Sequence, residues 1–258
     1  MNKIVIITGA SSGIGEQLKI NYEKDGDTVI NLSIDANSDG EKNFKLDVSN
    51  REEVFNVFEK IYQKYGKIDV LVNCAGYGVF GAVELLSETK CKQIFDVNYF
   101  GTLWCCQAVL QYMKKGARII NFASAAGLFA VPFRTMYSSV KSAVLMLSFG
   151  LKMELQKFGI DVVCLCPGDI KTNFSKNRDI TVDTNNKYGE SIQKSLNKIT
   201  AGESNRMDKV KATKKIYKII TKKRVKAMYI IGRKIKFLNF MQRFITKNKL
   251  LKITAKKY

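Results

Sequence analysis

The sequence predicts an α/β protein in which helices cover a parallel sheet, one domain closed by a basic helical extension at its C-terminal end. Two observations carry this prediction. Short β-branched apolar runs alternate with helical patterns along the chain, the order that crossover connections between parallel strands require. Four of the predicted strands also end in irregular segments bearing glycine or serine: Ile7 to Gly13, Asn73 to Gly76, Ser124, and Pro167-Gly168. In a parallel sheet those ends share one rim, where ligands bind.

The elements follow in order. Lys3-Ile4-Val5-Ile6-Ile7 is short, uninterrupted and β-branched, as suits a strand over 3–8 buried on both faces. Gly9, Gly13 and Gly15 then turn the chain into a helix over 14–25. The N–H groups and dipole at such a helix start favour an anion, usually a phosphate. Glycine loops also serve as plain tight turns, so the turn alone leaves both readings open. Further strands are expected at 28–33, 43–46, 69–73, 117–123, 160–166 and 226–231, with helices near 51–65, 88–114, 136–157 and 206–222. Residues 171–206 lack strong periodicity and are expected to form a substrate loop and lid. With 2 prolines and no linker, residues 1–202 read as the core, and 203–258 as a basic segment completing the same domain.

Composition narrows the chemistry. A chain of 258 residues, 46% hydrophobic and 26% charged, suits one domain. The longest uncharged runs, Val97 to Met113 and Ile119 to Phe133, are both shorter than the ~20 residues that span a bilayer. The chain enters its first strand with no room for a signal peptide, so a cytoplasmic location is expected. No histidine is present, which excludes histidine triads and histidine metal sites. The 6 cysteines form no C-x-x-C pair, so no metal is expected. Acid–base work falls to Tyr, Lys, Cys, Asp or Glu.

Tyr137 and Lys141 stand four apart, so a helix puts both on one face. An ammonium a few ångströms from a phenol stabilises the phenolate and lowers a pKa that is ordinarily about 10. Such a phenol can exchange a proton with a substrate oxygen. Alone, the pair is better explained by a surface tyrosine beside a solvated lysine. Ser124 ends a strand thirteen residues earlier, and its hydroxyl could hold a carbonyl oxygen.

Taken together, TGASSGIG at 8–15, NCAG at 73–76, Asn98 in Asp-Val-Asn, Ser124, YSSVK at 137–141 and PGDIKT at 167–172 resemble the short-chain dehydrogenase/reductase family over residues 3–175. The resemblance implies a Rossmann-type, doubly wound sheet and NAD(P)(H)-dependent interconversion of an alcohol and a ketone. It makes Tyr137 the general acid/base and Lys141 the group that lowers its pKa and binds the nicotinamide ribose. Ser124 orients the carbonyl, and Asn98 supports a proton relay. Gly9, Ser11, Ser12, Gly13, Ile14 and Gly15 would hold the pyrophosphate and adenosine ribose, while Asp47 and Val48 would meet the adenine. Asn73, Ala75 and Gly76 would line the cleft, and Pro167, Gly168, Ile170 and Thr172 the nicotinamide end. Cys74 replaces the family's second asparagine; its side chain is expected to serve the sheet rather than the cofactor.

The second strand ends at Ser33, where NAD-specific enzymes keep an acid for the ribose. Without that repulsion NADP(H) is favoured, NAD(H) being the alternative, although neither Ser12 nor Ile34 offers a cation for the 2′-phosphate. Phe129, Val131, Pro132, Phe133 and Phe174 suggest an apolar pocket. A hydrophobic ketone or alcohol such as a hydroxysteroid is expected, with 3-oxoacyl groups on an acyl carrier protein, or a non-enzymatic cofactor sensor, as alternatives. The net charge of +20 is concentrated beyond residue 202, where 19 lysines and arginines face 2 acids. Phe237, Leu238, Met241, Phe244 and Ile245 recur there at helical spacing. A basic helix packed over the cleft, an anionic membrane surface and an acidic partner all fit this segment; nucleic acid does not. The family pattern implies a homodimer or homotetramer.

Overall fold

In the computed structural model, which describes residues 2–202 and 206–257, strands and helices alternate as the periodicity predicts. The order is β1 (Ile4–Thr8), α1 (Gly13–Lys24), β2 (Thr28–Ser33), β3 (Asn43–Lys45), α2 (Arg51–Tyr65), β4 (Val70–Asn73), β5 (Val79–Phe80), α3 (Glu88–Phe95), α4 (Gly101–Leu110), β6 (Arg118–Phe122), α5 (Thr135–Leu155), β7 (Asp161–Pro167), β8 (Asp179–Ile180), α6 (Gly189–Ala201), α7 (Lys209–Ile220), β9 (Met228–Ile231), α8 (Arg233–Met241) and α9 (Lys247–Lys257). Seven strands form one parallel sheet in the order β3-β2-β1-β4-β6-β7-β9, with Ile6 opposite Ile30 on one side and Leu71 on the other. This is the doubly wound Rossmann arrangement.

The alternation of strand side chains builds two cores. Ile4 and Ile6 face α2, α4 and α5 through Val54, Phe58, Val109 and Leu151. Val5 and Ile7 face α1 and α7 through Leu18, Tyr22 and Ile216. The basic segment contributes directly: β9 pairs with β7, and Tyr217 of α7 packs edge-on against Tyr22 with ring centroids 4.8 Å apart.

Three stretches differ from expectation. The helix predicted over 88–114 is interrupted by a π-helical turn, Asp96–Phe100. Residues 171–206 contain β8, paired with β5, and α6, whose Ile192 and Ile199 pack against Phe80 and Ala82. Residues 203–205, where the expected loop meets the basic segment, lie outside the described residues. The apolar spacing from Phe237 to Ile245 does not form one helix, because α8 ends at Met241.

Candidate active site

The glycine turn leaves β1 at Gly9 (φ 71°), whose N–H donates to Leu32 O at 2.8 Å. Gly15 lets α1 close on this turn: a Cβ there would stand 2.3 Å from Gly9 O. Ser12 begins the helix in extended geometry and makes no side-chain cap. Ser12 thus leaves the amides at the helix start uncapped, a place that suits an anion, and Ser12, Gly13 and Ile14 border a cavity of about 480 Å³.

The same cavity reaches Ser124, Tyr137 and Lys141. Ser124 follows β6; its Oγ accepts from Ala126 N at 3.1 Å, and the short turn after it is tied to α5 by Ser142 Oγ donating to Gly127 O at 2.6 Å. Tyr137 and Lys141 are buried one turn apart in α5. Lys141 Nζ donates to Phe122 O at 3.0 Å and lies 5.9 Å from the centre of the Tyr137 ring. Burial pushes the Tyr137 phenol above its ordinary value; a hydrogen bond with Ser124 opposes this, as do the charges of Arg134 and Arg178. Burial also brings the Lys141 amine down to about 8. The pull on the phenol that spacing assigned to Lys141 comes here from Ser124 and two arginines.

Asn98 sits fully buried in the π-helical turn, where Nδ2 donates to Tyr77 O and Ile94 O, each at 3.1 Å. Among the described residues its Oδ1 has no hydrogen-bond partner. A Cβ on Gly76 would lie 2.4 Å from that oxygen and 3.5 Å from Lys141 Nζ, so both groups crowd one glycine at the rim. A buried acceptor left unpaired costs roughly 1–3 kcal/mol, and the site suits a hydroxyl-bearing group there. Uncapped amides at one end and this acceptor at the other fit a dinucleotide with its phosphates on α1 and its nicotinamide ribose by Lys141.

The cavity brings together Gly9, Ser12, Gly13, Ile14, Ala75, Gly76, Ser124, Tyr137, Lys141, Pro167, Gly168, Ile170 and Thr172. Ser11 borders an adjoining cleft. The other expected residues do not border the cavity. The buried Ser33 donates to Asn31 Oδ1 at 2.7 Å and accepts from Ser11 N at 3.2 Å, so its proton is already engaged. Asp47 accepts from Ser49 N and Oγ at 2.9 and 2.7 Å, and Val48 is buried against α2 and the start of α4. The Asn73-Cys74 pair departs from expectation at Asn73 alone. Asn73 Nδ2 turns into the sheet and donates to Asn121 Oδ1 at 2.9 Å, whereas Cys74 packs against the sheet core as expected while also bordering the cavity, its thiol pushed up to about 12 by burial.

Sequence reasoning missed several lining residues. Arg134, Asp169, Arg178 and Arg206 come from loops and helix ends without periodic signal. Phe129, Val131 and Phe174 line the cavity as expected, while Phe133 packs instead near Phe80 and Tyr188. Phe237 and Leu238 of α8, with Ile253 and Thr254 of α9, complete the wall, so the basic segment does pack over the cleft.

Residues 3–183 match the family described as short chain dehydrogenase. The chain is 36% identical over 227 residues to a 3-ketodihydrosphingosine reductase of Bacteroides thetaiotaomicron, covering 86% of this chain and 84% of that protein. Its structure resembles a short-chain dehydrogenase from Streptomyces avermitilis, with a TM-score of 0.85 and 26% identity over 98% of this chain and 96% of that one. NADP-bound ElxO is also similar, with a TM-score of 0.72 and 26% identity over 90% and 96% of the two chains. The chain therefore belongs to the short chain dehydrogenase family and is an NAD(P)-dependent oxidoreductase acting between alcohol and ketone.

Proposed function

We propose that the enzyme reduces the ketone of a long-chain amphiphilic lipid, with NADPH as the preferred donor. The observation that carries this reading is a cavity with a polar end at Ser124 and Tyr137 and apolar walls completed by two C-terminal helices. Similarity to a 3-ketodihydrosphingosine reductase supports a long chain over the hydroxysteroid expected from pocket apolarity alone. The absence of an acid at Ser33 supports NADPH.

Bound at the glycine turn, the nicotinamide cofactor supplies the hydride. Ser124 and Tyr137 hydrogen-bond the ketone oxygen and stabilise the negative charge that develops on it. Tyr137 is protonated at neutral pH, since burial raises its pKa, and it gives that proton to the oxygen. Lys141 holds the cofactor's ribose, and Asn98 positions the group that returns a proton towards Tyr137. The surfaces of α5 and of the π-helical turn that leads into α4, where Met146, Met153 and Phe100 are exposed, serve a homodimer or homotetramer. The basic C-terminal segment brings the enzyme to anionic lipid.

The reading is checked by oxidation of NADPH and of NADH with long-chain ketones, steroid ketones and acetoacetyl thioesters. Long-chain ketones with NADPH are expected to give the highest kcat/KM. Tyr137→Phe should lower turnover by about 10²- to 10⁴-fold while cofactor affinity persists. Preference for a steroid ketone or an acyl thioester would overturn the substrate reading, and undiminished turnover in Tyr137→Phe the mechanism.

A further inference from the structure

We propose that Arg178, with Arg134 beside it, binds an acidic group of the substrate close to the carbonyl being reduced, so that the natural substrate is an anionic amphiphile. The proposal rests on the ketoreductase reading above but keeps only its long chain and ketone: an acid-selective site departs from the amino ketone for which the Bacteroides relative is named. Among the described residues, the charged side chains lining the cavity are Arg134, Lys141, Arg178, Arg206 and Lys234 against one acid, Asp169. These cations divide by position. Lys141 is engaged with Phe122 O. Arg206 donates to Ser175 Oγ and to Ile199 O, and it also borders the cleft beside Ser12 and Gly13, at the phosphate end.

Arg134 and Arg178 belong to the reacting end. Both act on the Tyr137 hydroxyl. Arg134 directly precedes α5, which carries Tyr137. Arg178 packs its Cγ 3.6 Å from where a Cβ on Gly78 would stand, beside the Phe174 ring, whose centre lies 5.7 Å from that of Tyr137. Its guanidinium is half-buried, and no described residue forms a hydrogen bond or close ion pair with it. Burial first, then the like charges of Arg134 and Arg206, lower its pKa, with Asp169 opposing them. A guanidinium pressed towards other cations in a partly apolar wall gains most from an incoming anion, and its planar fork fits a carboxylate, phosphate or sulfonate through paired hydrogen bonds. A substrate bearing an amine in that position meets like charge instead.

The test uses the full-length enzyme, NADPH and matched long-chain ketones whose polar end is a carboxylate, a phosphate, a methyl ester or a primary amine. Acid-ended ketones should be reduced with kcat/KM at least ~10-fold above the ester, and the amine should be poorest. The carboxylate and phosphate arms identify which acid is preferred. Arg178→Leu should reduce the acid-over-ester ratio by about 10- to 100-fold, mainly through KM, and Arg178→Lys should restore part of it. Calorimetric binding of dodecanoate, which has no ketone to reduce, should weaken in parallel. Equal use of acid and ester by the wild-type enzyme would overturn the proposal. So would a loss in Arg178→Leu that is the same for every substrate, or one confined to the KM for NADPH, which would assign the arginine to the cofactor. If no ketone is reduced, the ketoreductase reading fails; dodecanoate binding that depends on Arg178 would still uphold the acid site, and its independence of Arg178 would remove that too.

Discussion

Burial acts on Lys141 and Tyr137 in opposite directions, and the proposed mechanism needs both to stay protonated. The phenol, raised above its ordinary value, keeps its proton at neutral pH; the amine, brought down to about 8, keeps its own only below that pH. The kcat/KM for ketone reduction is therefore expected to hold level below pH 8 and to fall as Lys141 loses its charge above it. The same shift opposes folding. The folded-state pKa lies below the ordinary lysine value of 10.5, so the unfolded chain binds this proton more tightly. Below pH 8 the fold carries a buried ammonium at a cost on the order of 3 kcal/mol, and the cost fades as pH rises towards 10.5. Lys141→Met should thus raise the Tm at pH 7, show a smaller gain near pH 10, and abolish reduction. Thermal unfolding at the two pH values checks this; a lower Tm at pH 7 would contradict it.

Elements explain what the sequence made legible. β1, the glycine turn and α1 were readable because a β-branched run, positive-φ glycines and a helical pattern agree over one stretch. Asn73 was misread because it is the last residue of β4: alternation assigns faces within a strand and lapses at its end. The π-helical turn holding Asn98 leaves no mark in a period of 3.6, since one extra residue shifts the pattern by less than a third of a turn. Arg178 and Arg134 were unreadable for a different reason: their neighbours are brought in by β8 pairing with β5, a long-range event. Away from the rim, Arg118 begins β6 and fastens α7 to the sheet, donating to Ile220 O at 2.5 Å and Lys222 O at 2.8 Å while pairing with Asp161 at 3.3 Å. Those carbonyls are the loose end of α7, which a cation satisfies best. Arg118→Ala should cost about 1–3 kcal/mol and lower the Tm by several degrees with kcat/KM unchanged, because Ser124 and Tyr137 stand at the opposite end of β6. Equal loss of activity in the folded variant would show that the clamp reaches the site.

For the whole molecule, charge and apolar exposure coincide at the C-terminal helices. Nearly all of the +20 net charge lies beyond residue 202. Phe240 and Phe244, at the end of α8 and just after it, are 53% and 70% exposed and pack on each other with ring centroids 5.1 Å apart. Phe237 and Ile253 of the same C-terminal helices are also exposed and line the cavity, so exposed apolar side chains stand at its wall. Among the described residues no helix is long and apolar enough to cross a membrane. Such a surface suits a bilayer face: each Lys or Arg near anionic lipid contributes about 1 kcal/mol, falling off within a Debye length, and each phenyl ring buried at the interface contributes about 1.5–3 kcal/mol. The enzyme should therefore co-sediment with phosphatidylglycerol-containing vesicles at low salt, detach as salt rises, and bind phosphatidylcholine vesicles far less. Phe240→Ser with Phe244→Ser should weaken the attachment by at least ~10-fold while a short, water-soluble ketone is reduced as before. With a long-chain ketone presented in vesicles, the same variant should turn over more slowly, because the chain must pass from lipid into a cavity whose wall is no longer seated on it. Attachment that ignores lipid charge, or no attachment at low salt, would leave these exposed rings to some other partner.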